Sequence, residues 1–374
     1  MLSFSPPRRR SPARRALGWA TVGLGVLVVV TAAFGLLSGS VPATGPWWWL
    51  QLFGVGLPLA MVAVTVGVGV ALVGGRLRWL GVFLALLALF FVQAEPWARF
   101  GAAEPSDGDL VLLTFNVPRS GPSGEKLAND VSVLFEQNRP DVVALQEALV
   151  LRGDDGVIYE PIQVGGPLDS LGFRLLRPFL GRGIPTQVPV LTQPTFELVD
   201  SERVALPTSG DGEGRGSEAF RVHFRWDGRE GVLYNVHLRS FGPAKPWLEE
   251  RETLLTDTTW AGYADRYREA FQLRAVEAEA LAAFVEDETL PVIIAGDFNS
   301  TPANWAFRRL LGERRDAWRV AGSSWWAPTY PADKPMVRID AVLADPAFEI
   351  AEAEVLPDAF SDHRPLRVRL RWRD

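Results

Sequence analysis

Three apolar runs crowd into the first hundred residues: Ala16 to Leu37, Trp47 to Val73 and Leu77 to Ala94. None contains an acid, and only Arg78 stands near an end. The first run, 22 residues long, would rise about 33 Å as a helix, close to one hydrocarbon thickness. Core helices of a water-soluble protein are rarely free of charge for so long, so the runs read as three transmembrane helices. Trp47, Trp48, Trp49, Trp79 and Trp97 fall at the ends of the runs, where indoles favour the interface. Gly54, Gly56, Gly67 and Gly69 are candidate points of close helix packing.

Charge orients the spans. Five arginines precede the first run and two lie in the Gly74 to Arg78 turn, whereas Ser38 to Pro46 has none. Both basic flanks are therefore expected in the cytoplasm. Three crossings from an inside N-terminus leave everything after about Gln93 outside the cell membrane. A signal peptide cleaved near Ala43 is the competing reading, but its apolar region would exceed the usual ~7 to 15 residues. Even then the two remaining spans would deliver the C-terminal part outside. The expected organisation is a basic cytoplasmic tail at 1–15, three spans within 16–94, a linker at 95–109 and a soluble domain at 110–374.

The first hundred residues carry eight Arg against the single acid Glu95, a balance of +7, so with an overall charge of −6 the remainder carries −13. Such acidity weighs against a nucleic-acid partner, whose phosphates are repelled over a Debye length of ~10 Å unless metal ions intervene. The absence of cysteine excludes disulfides, zinc-thiolate sites and thiol nucleophiles.

In the soluble part, strand-like runs alternate with helix patterns. Leu110 to Asn116 and Val142 to Gln146 flank a helix predicted over Gly124 to Asn138. Phe220, Val222 and Phe224 alternate with Arg221, His223 and Arg225, and Asp227-Gly228 then turns the chain into Val232 to Val236, a hairpin signal. Tyr267, Phe271, Ala278, Leu281 and Val285 form a helical stripe before the buried-strand run Pro291 to Ala295, with late strands at Val337 to Leu343, Ile350 to Val355 and Pro365 to Trp372. Pro207 to Glu218 and Ser240 to Ala261 read as flexible insertions. The pattern predicts an α+β fold, a two-sheet β-sandwich flanked by helices, after the three-helix transmembrane region.

There is no P-loop, no GxSxG elbow and no HExxH, and Gly212, Gly214 and Gly216 sit in a polar loop that reads as a linker. Polar residues instead terminate apolar strands. Asn116 follows Val-Leu-Leu-Thr-Phe, Gln146-Glu147 follows Val-Val-Ala-Leu, and His237 follows Leu-Tyr-Asn-Val. Asp297 and Asn299 follow Val-Ile-Ile-Ala-Gly, Asp340 sits within Arg-Ile-Asp-Ala-Val, and Asp362-His363 precedes Arg-Pro-Leu. A carboxylate ending a buried strand must be paired, hydrogen-bonded or metal-bound, because stranding it costs several kcal/mol. Six such endings in one domain imply convergence on one site. His237 and His363 are two of only three histidines, and both fall in these motifs; the third, His223, shares a strand face with Arg221 and Arg225 and reads as solvent-facing.

These motifs resemble the endonuclease/exonuclease/phosphatase (DNase I-like) superfamily: Thr-Phe-Asn116-Val, Leu-Gln146-Glu147, Asn-Val-His237-Leu, Gly-Asp297-Phe-Asn299-Ser-Thr-Pro, Arg-Ile-Asp340 and Ser-Asp362-His363-Arg-Pro, in family order from Leu110 to about Leu370. With three spans in front, the chain is similar to the membrane-anchored branch that includes glycopeptide-resistance-associated proteins. The resemblance implies a metal-dependent phosphoesterase. Glu147, with Asn116 and Asp362, would hold Mg²⁺ or Mn²⁺, which suits hard oxygen donors. Asp297 would take the proton of the attacking water, and Asn299 would hold the phosphate or that water in line. His237 and His363, the latter oriented by Asp340, would donate to the non-bridging oxygens. Gln146 would support this set. Pro118, two residues after Asn116, departs from the polar residue common in nuclease members, and no acidic partner for His237 is legible.

A catalytic face tethered close to the bilayer, with Phe241, Trp247, Trp260 and Tyr263 near Arg239, Lys245 and Arg251, favours a lipid-linked phosphate or pyrophosphate as substrate. The alternatives are a membrane-tethered extracellular nuclease and a noncatalytic sensor or assembly module.

Overall fold

The computed structural model describes residues 12–73, 77–94, 99, 102–117, 124–148, 151–152, 158–159, 171–176, 188–207, 217–242, 257–324, 326–357 and 360–374. The basic stretch before residue 12, residues 74–76 of the predicted turn, Trp97, Pro118, the glycines at 212, 214 and 216, and Lys245, Trp247 and Arg251 lie outside them.

The chain opens with three helices, α1 (Pro12–Ser38), α2 (Leu50–Val73) and α3 (Leu77–Ala94). By length and composition α2 and α3 are apolar enough to cross a membrane; the shorter apolar stretch Val22–Ser38 lies within α1. Their shared seam buries Ala32, Leu36, Leu57, Met61, Val64 and Phe83. Gly54 and Gly67 mark close approaches, because a Cβ at Gly54 would lie 2.4 Å from Ser38 Oγ and one at Gly67 2.7 Å from the Phe83 ring, whereas Gly56 and Gly69 face open space.

After a short connection come β1 (Leu110–Asn116), α4 (Gly124–Asn138), β2 (Val142–Gln146), β3 (Leu151–Arg152), β4 (Ile158–Tyr159), β5 (Arg174–Leu176), β6 (Val190–Thr192) and β7 (Glu197–Val204). They are followed by β8 (Glu218–Trp226), β9 (Arg229–His237), α5 (Asp257–Glu286), β10 (Val292–Asp297), α6 (Trp305–Leu311), β11 (Arg315–Asp316), α7 (Ala317–Ala321), β12 (Asp340–Ala344), β13 (Phe348–Val355) and β14 (Leu366–Trp372). Two six-stranded sheets result, ordered β13-β14-β1-β2-β6-β5 and β11-β12-β10-β9-β8-β7.

Each sheet has one central parallel pair, β1 with β2 and β9 with β10. These strands are buried along nearly their whole length, as strands covered on both faces must be. Leu112, Val142 and Val190 of one sheet meet Phe220, Leu233 and Ile293 of the other in the central core. On the outer face of the first sheet, Val131, Leu134 and Phe135 of α4 pack over Leu113 and Val143. On the outer face of the second, Ala278, Leu281 and Val285 of α5 and Phe307 and Leu310 of α6 pack over Tyr234, Val236 and Ile294. The hairpin between β8 and β9 turns at Asp227 (φ 50°) and Gly228 (φ 72°), two positive values in succession as a twist-matched two-residue turn requires.

Residues 257–261 of the second expected insertion are the first turn of α5.

Candidate active site

Strand register brings the polar ends together. In the first sheet Asn116 pairs with Gln146, so the parallel strands β1 and β2 finish level. In the second, Asp297 pairs with His237 on the parallel neighbour β9 and with Asp340 on the antiparallel neighbour β12. Gly296 makes the β9–β10 approach possible: with φ at 146°, a Cβ there would lie 2.0 Å from the Val236 carbonyl oxygen. Two polar side chains seam the sheets beneath this end. Gln146 donates from Nε2 to Asn235 Oδ1 (2.8 Å), and Asn235 donates from Nδ2 to the carbonyls of Leu145 (2.8 Å) and Pro189 (2.9 Å). Gln146 thus acts within the protein interior, and Asn235 shares its task.

Asp297 is the centre, 1% exposed. It accepts from Asn116 Nδ2 (3.0 Å), from the Asn299 backbone N–H (2.8 Å) and from Asn299 Nδ2 (3.2 Å). The second Asn299 amide bond goes to the Leu238 carbonyl at 3.0 Å, tying the turn after β10 to the end of β9. Both catalytic-motif histidines face this carboxylate, His237 Nε2 and His363 Nε2 each standing 3.8 Å from Asp297 Oδ2. His363 Nδ1 lies 2.9 Å from Asp340 Oδ2. Asp340 is held in turn by Thr329, whose hydroxyl accepts from the backbone N–H of Ile339 and of Asp340, both at 3.2 Å. Ser361 donates to the Asn116 carbonyl (2.7 Å) and accepts from the His363 N–H (3.1 Å), locking the last motif against the first.

His237 also has the acidic neighbour that was not legible in the sequence: Glu147 Oε1 lies 3.8 Å from its Nε2. Glu147 sits at φ 55° and Asn299 at φ 47°. Asparagine tolerates this left-handed region, but glutamate held there costs on the order of 1 kcal/mol or more, strain that collects at functional sites.

Electrostatics divides the roles. Burial, reinforced by the negative charge of Asp340, pushes the Asp297 carboxyl above the usual carboxylate range, while the two imidazoles and the Asn299 N–H pull the other way. For His363, burial opposes protonation, but the charges of Asp340 and Asp297 and the hydrogen bond to Asp340 outweigh it, and the imidazole is pushed up to about 9. A carboxyl with a raised pKa thus stands beside an imidazole that favours its protonated form, a pairing of the kind that collects at functional sites.

The donor set fits a hard divalent cation. Asp297 and Asp340 offer hard oxygen donors within 4.8 Å of each other and of His363, whose imidazole could join them only after losing its proton, and the Glu147 side chain, 3.8 Å from His237, is 28% exposed. Both ring nitrogens of His237 are buried without a hydrogen-bond partner among the described residues, an arrangement that costs free energy until a ligand supplies one. Asp362, by contrast, has an exposed side chain next to buried His363.

Residues outside the motifs complete the site. Glu277 of α5 accepts from the Arg239 N–H at 2.8 Å, and buried Arg274 donates from Nε to the Arg239 carbonyl at 2.7 Å, clamping the segment that follows His237. Thr329, Arg274 and Glu277 carry no sequence signal of their own, since each acts on a neighbour's backbone. Among the described aromatics near the Ser240 insertion, Phe241 packs edge-on against Tyr267 and Phe271 and Tyr263 is buried, so both serve a local core, whereas Trp260 is exposed. His223 lies on β8, one strand in from the edge of the second sheet, its side chain 20% exposed and 3.0 Å from Glu230.

Comparison with known proteins agrees with this geometry. The model of the endonuclease/exonuclease/phosphatase family matches residues 113–363. No curated protein matches the chain significantly. Among solved structures, a Bacteroides thetaiotaomicron protein of the same family superposes with a TM-score of 0.51 at 15% identity, covering 73% of this chain and 100% of that one. One from Bacteroides vulgatus gives 0.50 at 18% identity, covering 71% and 99%. D. rerio TDP2 complexed with a single-strand DNA product gives 0.50 at 14% identity, covering 71% and 100%. At such identities these likenesses establish the DNase I-like fold. With the family motifs matched across most of the chain and brought to one end of a two-sheet sandwich, the protein belongs to the endonuclease/exonuclease/phosphatase family, hydrolases of phosphoester bonds.

Proposed function

We propose that this protein is a membrane-anchored phosphoesterase whose active site works outside the cytoplasmic membrane on an amphipathic phosphate, a lipid-linked phosphate or pyrophosphate. The observation that carries the chemistry is the convergence of two imidazoles on Asp297, one of them held by Asp340. Glu147, with Asn116 and Asp362, would hold Mg²⁺ or Mn²⁺, which when bound would supply charge neutralisation at the phosphoryl group. Asp297 accepts the proton of the attacking water, and Asn299 keeps that water or the phosphate in line. His363 and His237 donate to the non-bridging oxygens, where charge accumulates. One general base contributes only ~10² to 10⁴ in rate, so positioning and charge carry most of the catalysis.

The membrane reading is supported by the outward faces of the helices. Leu24, Leu27, Val66, Leu72, Val73 and Leu77 are all at least 60% exposed, an apolar surface that water disfavours and lipid accepts. The substrate class is supported by a cavity of about 130 Å³ where α2 and α3 meet the catalytic domain. Leu57, Pro58 and Phe90 form its apolar wall, and Arg308, Arg319 and Trp326 its other side, a lining suited to an acyl chain near an anionic headgroup. The domain limits at 95–109 and 110–374 belong to this proposal.

The test is to assay the full chain in phospholipid nanodiscs with Mg²⁺ against lipid monophosphates, lipid pyrophosphates and single-stranded DNA. Hydrolysis of the lipid phosphates at least ~100-fold faster than DNA is expected, a difference of roughly 3 kcal/mol in transition-state stabilisation. Strand cutting in preference would establish the nuclease reading, and no hydrolysis of any would overturn the enzyme assignment to this site.

A further inference from the structure

The apolar helices and the catalytic domain meet through a polar seam whose members are hidden from solvent. Gln51, at the start of α2, is 1% exposed and Ser38, at the end of α1, is 0% exposed. An amide buried there is costly unless its hydrogen bonds are made, and those of Gln51 are all made. Its Nε2 donates to the carbonyls of Ser38 and Val41, both at 3.0 Å. Its Oε1 accepts from the Trp305 backbone N–H (3.0 Å) and from Asn304 Nδ2 (3.2 Å), and its own carbonyl accepts from Asn304 Nδ2 at 2.8 Å.

Trp305 is the first residue of α6, and its N–H is one of the orphan donors that every helix start must satisfy. The residue in cap position, Asn304, makes no side-chain cap bond to α6 and instead accepts from Thr301. The cap of α6 thus comes from Gln51, 254 residues earlier. Ser38 Oγ donates to the Ala303 carbonyl at 2.6 Å and Thr301 Oγ1 lies 3.3 Å from the Gly54 carbonyl. Any side chain at Gly54 would collide with this seam, its Cβ falling 2.7 Å from Asn304 Nδ2. The segment gripped here, 301–305, begins two residues after Asn299.

A second tie leads to His237. Ala43, in the loop between α1 and α2, packs with Phe271 and Ala275, on the helix whose Arg274 and Glu277 clamp Arg239, and Phe241 packs against the same cluster. The outer loop of the first helix pair therefore underlies both catalytic strand ends. We infer that the α1–α2 outer end is part of the catalytic centre, with Gln51 as a positioning residue that fixes the turn carrying Asp297 and Asn299. Only the kinetic arm of its test rests on the proposed function.

The test compares Gln51→Leu, Asn304→Asp and the control Thr65→Val, a surface change within α2, in the full chain. Asn304→Asp keeps the bonds to Thr301 and loses those to Gln51, and it serves if Gln51→Leu fails to fold. Backbone hydrogen exchange over 298–307 is expected to rise about tenfold or more in both seam variants, with β9 and β12 unchanged. With bis(p-nitrophenyl) phosphate and Mg²⁺, kcat should fall about tenfold or more while KM holds, since positioning is felt in the transition state. Thr65→Val should match wild type in both. Unchanged exchange over 298–307, or a rise spread equally over every strand, overturns the inference. If wild type hydrolyses no phosphate ester, the functional reading fails and the exchange result alone decides the positioning.

Discussion

Of the three aspartates buried almost completely in the second sheet, Asp297 and Asp316 live opposite lives. Asp316, on β11, is gripped by Arg338, whose Nη1 donates to Oδ1 at 3.0 Å while Nη2 engages Oδ2, and it caps α7 by accepting from the Trp318 N–H. Burial would raise its pKa, but the Arg338 charge and hydrogen bonds, helped by Arg319, hold the carboxyl below the usual range. Among the described residues, Asp297 has no arginine or lysine hydrogen-bonded to it; it receives amides, faces a second carboxylate, and is left with a raised pKa. In the proposed function, this difference separates a carboxylate placed for stability from one placed for chemistry. Full pairing makes a buried charge a fixed part of the fold, while incomplete compensation leaves it able to take a proton.

Substitution of each should split activity from stability. Asp297→Asn is isosteric but cannot accept a proton, so turnover should fall by about a thousandfold or more, ~4 kcal/mol, with the thermal midpoint held or raised. Phosphate release from a diester probe alongside a melting curve measures both, and retention of more than about a tenth of wild-type turnover would remove Asp297 from the role of base. Asp316→Asn should do the reverse. Breaking one side of a buried pair costs about 3–5 kcal/mol, read by denaturant unfolding, while turnover per folded molecule stays near wild type.

Smaller effects should appear in the pH dependence of stability in EDTA-treated protein. His363, with its folded pKa raised to about 9 from 6.5, contributes stability present in full below pH 6.5 and lost as pH rises through about 9. The stability gap between wild type and His363→Gln should close over that window. Asp316, held below its ordinary value of 3.8, contributes stability present above that value and lost as pH falls below it, so the gap to Asp316→Asn should close only in acid. Gaps that closed in the same direction would abolish the distinction between the two sites. The smallest effect is expected at His223, whose partner Glu230 is itself half-buried: His223→Ala should cost under ~1 kcal/mol and leave turnover unchanged.

Much of the site was written in the sequence because its members end apolar strands, where a polar residue needs a reason to be. Asn116, Glu147, His237, Asp297, Asn299, Asp340 and His363 could all be picked out this way, as could the Asp227-Gly228 hairpin and the extent of α4. What remained hidden acts through backbone atoms or across distant segments. Thr329 is one threonine among many until its hydroxyl is seen to hold the Asp340 N–H, and nothing around Gln51 announces a partner at Trp305. Glu147 as neighbour to His237 follows from two sheets facing each other, and no spacing encodes that. Local periodicity and residue type determined the elements, the apolar helices and the chemical alphabet of the site, because those depend on short-range patterning against water or lipid. Register, the 3.8 Å meeting of both imidazoles with Asp297, and the grip of the first helix pair on the catalytic turn were decided only by the tertiary structure, since each is a hydrogen bond or charge contact between residues far apart in the chain, fixed when the sheets and helices pack.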